Sequence, residues 1–213
     1  MKRAQVLFLL ILISFVFVAF TQEKTEEKKQ KDVSYSHLNV AQIAGKRLFV
    51  LKKCSDCHTL DEEAKDDLTP VTDKRDDDWF AGHVKKESPI VLREEKSKRK
   101  QRRILRDEIQ ALDEFLYQTK PKEREQIESM PENVFEGAYL VYQNNCLNCH
   151  SIAGLGKDIA PDLTEVANRH DRQWFVANLK DPKQFKEDTI MPSFAHLPEE
   201  NLEAIADYLE TLK

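Results

Sequence analysis

The sequence predicts an all-α chain built as two small helical bundles in tandem, preceded by an apolar N-terminal helix. Three observations lead there. Landmarks recur at a nearly constant spacing: Cys54 and Cys146 lie 92 residues apart (146 − 54), and Gly45 and Gly137 share that offset, each nine residues before its cysteine. Trp79-Phe80 recurs as Trp174-Phe175, and Pro70 and Pro161 follow His58 and His150 by 12 and 11 residues. Each copy also closes on apolar residues at helical spacing, Leu105, Ile109, Leu112 and Leu116 in the first and Leu202, Ile205, Ala206 and Leu209 in the second. Pro198 suits the start of the second closing helix. Finally, no stretch alternates apolar and polar residues as a half-buried strand does.

The N-terminal element comes first along the chain. Met1-Lys2-Arg3 supplies positive charge, and Ala4 to Phe20 run apolar with only Gln5 and Ser14 interrupting. That run is long for a signal-peptide core and short for a membrane span. Phe17-Val18-Ala19 makes a poor cleavage site, because a ring stands where a small residue belongs. Residues 1–21 therefore read as a membrane anchor, with a removed signal peptide as the alternative. Lys2 and Arg3 would hold the start in the cytoplasm and place the chain beyond Phe20 outside. Residues 22–36, rich in Glu, Lys and Gln, read as a solvated tether. The first bundle then spans residues 37–120 and the second 132–213. Between them, 121–131 read as a polar linker opened by Pro121.

Units of about 80 residues bury little apolar surface unless something else fills the core. The cysteines suggest what does. There are only four, arranged as Cys54-Ser-Asp-Cys57-His58 and Cys146-Leu-Asn-Cys149-His150. In such a motif two thiols add across the vinyl groups of one haem, and the adjoining histidine offers a nitrogen to its iron. A zinc site would need two more ligands per motif, and no cysteine is spare. A redox dithiol gives no reason for a histidine after both pairs. The expected cofactors are therefore two haems c, held at Cys54, Cys57, Cys146 and Cys149, with His58 and His150 as metal ligands. A net charge of −5 and an exported chain do not suit a nucleic-acid binder.

On these motifs the sequence resembles class I c-type cytochromes, two in tandem, from Gly45 to Leu116 and from Gly137 to Leu209. The resemblance implies a small helical bundle around each covalent haem, with terminal helices crossing near Gly45 and Phe49. It implies that the carbonyls of Pro70 and Pro161 accept a hydrogen bond from the proximal histidines, which would fix ring orientation. Trp79 and Trp174 match the family tryptophan near the haem edge, although ordinary core packing accounts for them equally well. Met191, in Thr189-Ile-Met-Pro-Ser-Phe194, stands where the family places its axial methionine. A His/Met pair would give haem 2 a relatively high potential.

The first copy has no such methionine. With Leu116 opposite Leu209, Lys98 falls opposite Met191. His83, in Trp-Phe-Ala-Gly-His, is one candidate sixth ligand, because neutral imidazole binds iron well. A lysine, Lys98 or Lys96, is another. Met130, His37, a partner's residue and an open position also stay in play. His170 and His196 read as surface or loop histidines. Asp61 to Asp78 carry nine acids, and Lys96 to Arg106 carry seven basic residues and no acid. They read as a solvated loop feeding a helix or as a surface that steers a redox partner.

The expected function is electron transport, not catalysis, at the periplasmic side of the cytoplasmic membrane. The expected partners are respiratory redox proteins, a quinol-oxidising complex and a terminal oxidase or reductase, and the membrane itself through the N-terminal helix. A peroxidase-like enzyme using an open first haem is the rival.

Overall fold

A computed structural model describes residues 33–60, 76–87 and 97–213. The apolar N-terminal segment, most of the charged tether, Pro70, Lys96 and most of the acidic block lie outside the described residues. No helix among the described residues is long and apolar enough to cross a membrane.

The described residues are mostly helical, with seven α-helices: α1 (Val40–Leu51), α2 (Asp77–Glu87), α3 (Lys98–Asp113), α4 (Pro121–Glu128), α5 (Glu132–Gln143), α6 (Arg172–Lys180) and α7 (Glu199–Glu210). A turn of π-helix, Glu114–Gln118, continues α3. Helix α1 begins where the Asn39 side chain accepts the Ala41 N–H (2.8 Å), satisfying a donor the first turn leaves free.

Helix α1 crosses α3 at Gly45, where a Cβ would stand 1.9 Å from the Ala111 carbonyl oxygen and 2.5 Å from the Phe115 Cβ. Helix α5 crosses α7 at Gly137 in the same way, 1.9 Å from the Ala204 oxygen and 2.9 Å from the Tyr208 Cβ. Only glycine lets either pair of backbones approach so closely. Superposing the crossings places Ala111 on Ala204 and Arg106 on Glu199. Helix α3 thus runs eight residues (98 to 105) beyond the point where α7 begins, about 12 Å of extra helix.

The two halves do not sit apart on a solvated linker. Residues 36–213 form one compact unit. Helices α1 and α5 pack antiparallel: Arg47, late in α1, pairs with Glu132 (3.4 Å) and Glu136 (2.8 Å) early in α5. Ala41, at the start of α1, shares a crevice with Tyr142 and Gln143 at the end of α5. Tyr139 is buried in one cluster with Ala44, Leu48 and Phe115. The segment expected as linker is itself mostly the packed helix α4. Its Arg124 guanidinium lies 4.7 Å from the Phe115 ring centroid and donates to the carbonyls of Phe115 (3.2 Å) and Leu116 (3.4 Å). Ile127 and Met130, two apolar residues amid polar ones, are buried. They supply the burial that polar composition hides.

Among the described residues one short antiparallel ladder of strands occurs, β1 (Ser151–Ile152) against β2 (Leu155–Gly156). Two residues per strand are too few for alternation to show in a sequence. Ala153 (φ 52°) and Gly154 (φ 79°) turn the chain between them.

Candidate haem sites

Both cysteine motifs fold into the same turn. The preceding residue is left-handed in each, Lys53 at φ 55°, ψ 33° and Asn145 at φ 58°, ψ 34°. The Cys54 carbonyl then accepts from the N–H groups of Cys57 (3.2 Å) and His58 (3.0 Å), and the Cys146 carbonyl from Cys149 (3.1 Å) and His150 (2.9 Å). A single 3₁₀ turn at the end of a helix thus carries two thiols and an imidazole in each half. Burial pushes the Cys146 thiol up to about 12. Burial also raises the Cys54 thiol, opposed by the Lys52 ammonium nearby.

In the second half His150 Nδ1 donates to the Pro161 carbonyl (2.7 Å), which leaves Nε2 for a metal. The loop bearing Pro161 is pinned back on the motif, because Ile159 and Ala160 both donate to the Cys149 carbonyl (3.0 and 2.8 Å). Asp162 accepts from Ser151 Oγ (2.5 Å) and the Thr164 N–H (2.8 Å). The Ser151 hydroxyl, followed by Thr164 and Arg169, holds the Asp162 carboxyl below the usual carboxylate range.

Met191 is held against α6. Asp171 caps that helix by accepting the Trp174 N–H (2.8 Å), and Asn178, one turn after Trp174, points its Nδ2 at the Met191 sulfur (3.6 Å). Ser193 Oγ donates to the Lys180 carbonyl (2.5 Å), and the Phe194 N–H to that of Leu179 (2.8 Å), so the methionine loop is fastened to α6. Trp174 stacks on His170 at 3.5 Å between centroids.

The first half repeats the frame with different ligating atoms. Asp76 accepts the Trp79 N–H (2.8 Å) as Asp171 does for Trp174. One turn later, at the position of Asn178, stands His83. It stacks on Trp79 (5.1 Å, 8°), and its ring centroid is 6.0 Å from that of His58 at 71°. Lys98 is exposed at the first residue of α3. Met130 is buried, and His37 is engaged with Gln126 Oε1 (3.0 Å).

The residues present fit a haem. Imidazole, thioether and paired thiols are the donors such a group uses. Large apolar side chains lie open beside them, Ile159 (60 % exposed) near Pro161, Ile190 (78 %) next to Met191, and Trp79 (41 %). Sequence reasoning aligned Asn178 with His83 but missed its contact with Met191, and it missed the capping aspartates and the Ser151–Asp162 bond. Asp76-x-x-Trp79 and Asp171-x-x-Trp174 share one offset and could have been found.

Residues 134–213 match the family model of Cytochrome c. That span carries a cytochrome c domain. The domain implies covalently bound haem c and indicates electron transfer. Cytochrome c oxidase subunit 2 of Alkalihalophilus pseudofirmus is 28 % identical over 86 residues, 37 % of this chain and 25 % of that protein. A subunit of the nitric oxide reductase of Halomonas halodenitrificans is 42 % identical over 43 residues, 20 % of this chain and 29 % of that protein. The chain thus covers less than a third of either relative's length. No solved structure matches significantly.

Proposed function

We propose that the chain is a di-haem electron carrier at the periplasmic side of the cytoplasmic membrane. Cys146 and Cys149 hold the second haem, with His150 and Met191 as axial ligands. Cys54 and Cys57 hold the first, with His58 and His83. When bound, each haem supplies a one-electron ferric/ferrous couple. The protein's part is to fix ligation, burial and the spacing of the two groups. A His/His first site would lie below a His/Met second site in potential, so electrons would run downhill from the first half to the second.

The observation that carries this reading is the repetition of the matched domain's frame in residues 37–120. The glycine crossing, the left-handed residue before the first cysteine, the cysteine turn and the Asp-capped tryptophan helix all recur there. His83 is favoured over Lys98 because its counterpart Asn178 reaches the Met191 sulfur and because the His83 ring lies 6.0 Å from that of His58 between centroids. The two relatives are named as an oxidase subunit and a reductase subunit, which supports a terminal oxidase or reductase as partner; a quinol-oxidising complex is the donor proposed with it.

The mass of the exported chain tests the haem count. It should exceed the polypeptide by two haems, and by one in a Cys54→Ala/Cys57→Ala variant. One haem in the unaltered chain refutes the di-haem reading. Electron paramagnetic resonance of the oxidised protein tests the ligation. Two low-spin haems are expected, with the first turning high-spin in His83→Ala. A high-spin first haem that binds cyanide quickly in the unaltered protein would favour a peroxidase-like enzyme instead.

A further inference from the structure

We propose that the buried ion pair Lys52–Glu108 is a charge device that sets the redox balance of the first haem independently of the second. The proposal rests on the first half carrying a haem. Lys52 closes α1, two residues before Cys54, and Glu108 lies on α3. Lys52 Nζ and Glu108 Oε2 are 2.6 Å apart, and both side chains are 0 % exposed. Glu108 Oε1 has no hydrogen-bond partner among the described residues.

The scaffold does not require this pair. By the offsets of the two crossings, Lys52 corresponds to Asn144 and Glu108 to Asn201. Asn144 closes α5 with its own side chain, Nδ2 donating to the Leu140 carbonyl (2.9 Å). One frame is therefore built twice, once with neutral amides and once with two buried charges. Desolvating two ions costs more than their attraction returns unless geometry and further hydrogen bonds are excellent, and well-packed apolar replacements are often neutral or stabilising. With one carboxylate oxygen left orphaned, packing alone does not account for the pair.

The charges act where the cofactor is attached. The Lys52 ammonium is felt at the Cys54 sulfur, where it opposes the rise that burial causes. In a low-dielectric interior such interactions are several times stronger than in water. The Glu108 carboxylate favours the more positive ferric state, and the Lys52 ammonium favours the ferrous state. Being a neutral pair they largely offset one another, so losing either charge alone moves the balance while losing both restores it. The second half has no such pair at Asn144 and Asn201.

Spectroelectrochemical titration of the full haem-loaded chain tests this. At fixed potential, Lys52→Met should lower the ferrous-to-ferric ratio of the first haem several-fold, and Glu108→Gln should raise it several-fold. Lys52→Met/Glu108→Leu should return it to within twofold. The second haem should change less than twofold throughout. A complementary transplant avoids the buried site: Asn144→Lys should raise the ratio of the second haem several-fold and spare the first. The proposal is overturned if the single variants move the first haem in one direction or not at all, if both haems move together, or if Asn144→Lys leaves the second haem unmoved. Haem loss from Cys54 and Cys57 in the unaltered chain, read by mass, would instead remove the di-haem reading on which it stands.

Discussion

Replacing Gly137 by alanine is the most direct probe of the crossing that organises each half. An added Cβ would stand 1.9 Å from the Ala204 carbonyl oxygen and 2.6 Å from its carbon. Ordinary carbon contacts lie near 3.5–4 Å, so α5 and α7 must part by more than about 1 Å. The obstacle is backbone, which cannot swing aside as a side chain can. Overpacking of this kind costs about 1–3 kcal/mol or more, and the rigid obstacle argues for the upper end. Alanine returns about 1 kcal/mol through its better helix propensity. The net loss is about 2 kcal/mol, or roughly 4–8 °C in Tm for a unit of this size. Gly82 provides the control. It lies in α2 with nothing within 4 Å of an added Cβ, so Gly82→Ala should stabilise by about 0.5–1 kcal/mol. Thermal unfolding followed by far-UV circular dichroism, on samples of equal haem content, compares them. Equal midpoints for the two variants, or a gain in Gly137→Ala, would refute the close crossing. Gly45→Ala should cost at least as much as Gly137→Ala, because its obstacles are the same kinds of atoms and the Phe115 Cβ, at 2.5 Å, stands closer than the Tyr208 Cβ at 2.9 Å.

Other expectations bear on particular contacts. Arg124→Ala removes a cation over the Phe115 ring and two bonds to main-chain carbonyls, and should destabilise the unit by about 1–3 kcal/mol in urea unfolding. Tyr142→Phe deletes the bond from its hydroxyl to the Asp107 carbonyl (2.8 Å) at the seam between halves, and should cost about 0.5–1.5 kcal/mol by the same measurement. Asp162, held below the usual carboxylate range by Ser151, stabilises the fold above about pH 4, and that contribution is lost as pH falls through its folded value. Asp162→Asn should therefore narrow the stability gap to the unaltered chain on acidification; a gap constant from pH 6 to pH 3 would contradict the assignment.

What the sequence could reveal depended on whether a feature is local and repeated. The cysteine motifs, the two glycines, the tryptophan pairs and the closing helices are short patterns with fixed spacing, so each copy vouches for the other. The association of the halves left no such trace. Arg47 meets Glu132 and Glu136 across 85 or more residues, and Tyr139 buries itself among residues of the first half. Neither contact has a counterpart elsewhere in the chain to betray it. Helix α4 was hidden because two apolar residues in a charged segment suffice once Arg124 clamps it. The π turn and the two-residue ladder are too short to impose a period.

The divergence between the halves then has one physical origin. Each closing segment must supply both the helix that crosses the glycine and whatever lies on the distal side of the site. In the second half the helix begins only at Glu199, and the eight residues before it form the loop that carries Met191 to Asn178. In the first half the helix begins at Lys98, and those residues are spent on two more turns of α3. On the proposed ligation the first half uses His83 of α2, which stands at the place of Asn178 with its ring centroid 6.0 Å from that of His58. On that reading, the loop-borne thioether of the second half has a helix-borne imidazole as its counterpart in the first. That exchange would, on the proposed ligation, set a His/His first site below a His/Met second site in potential.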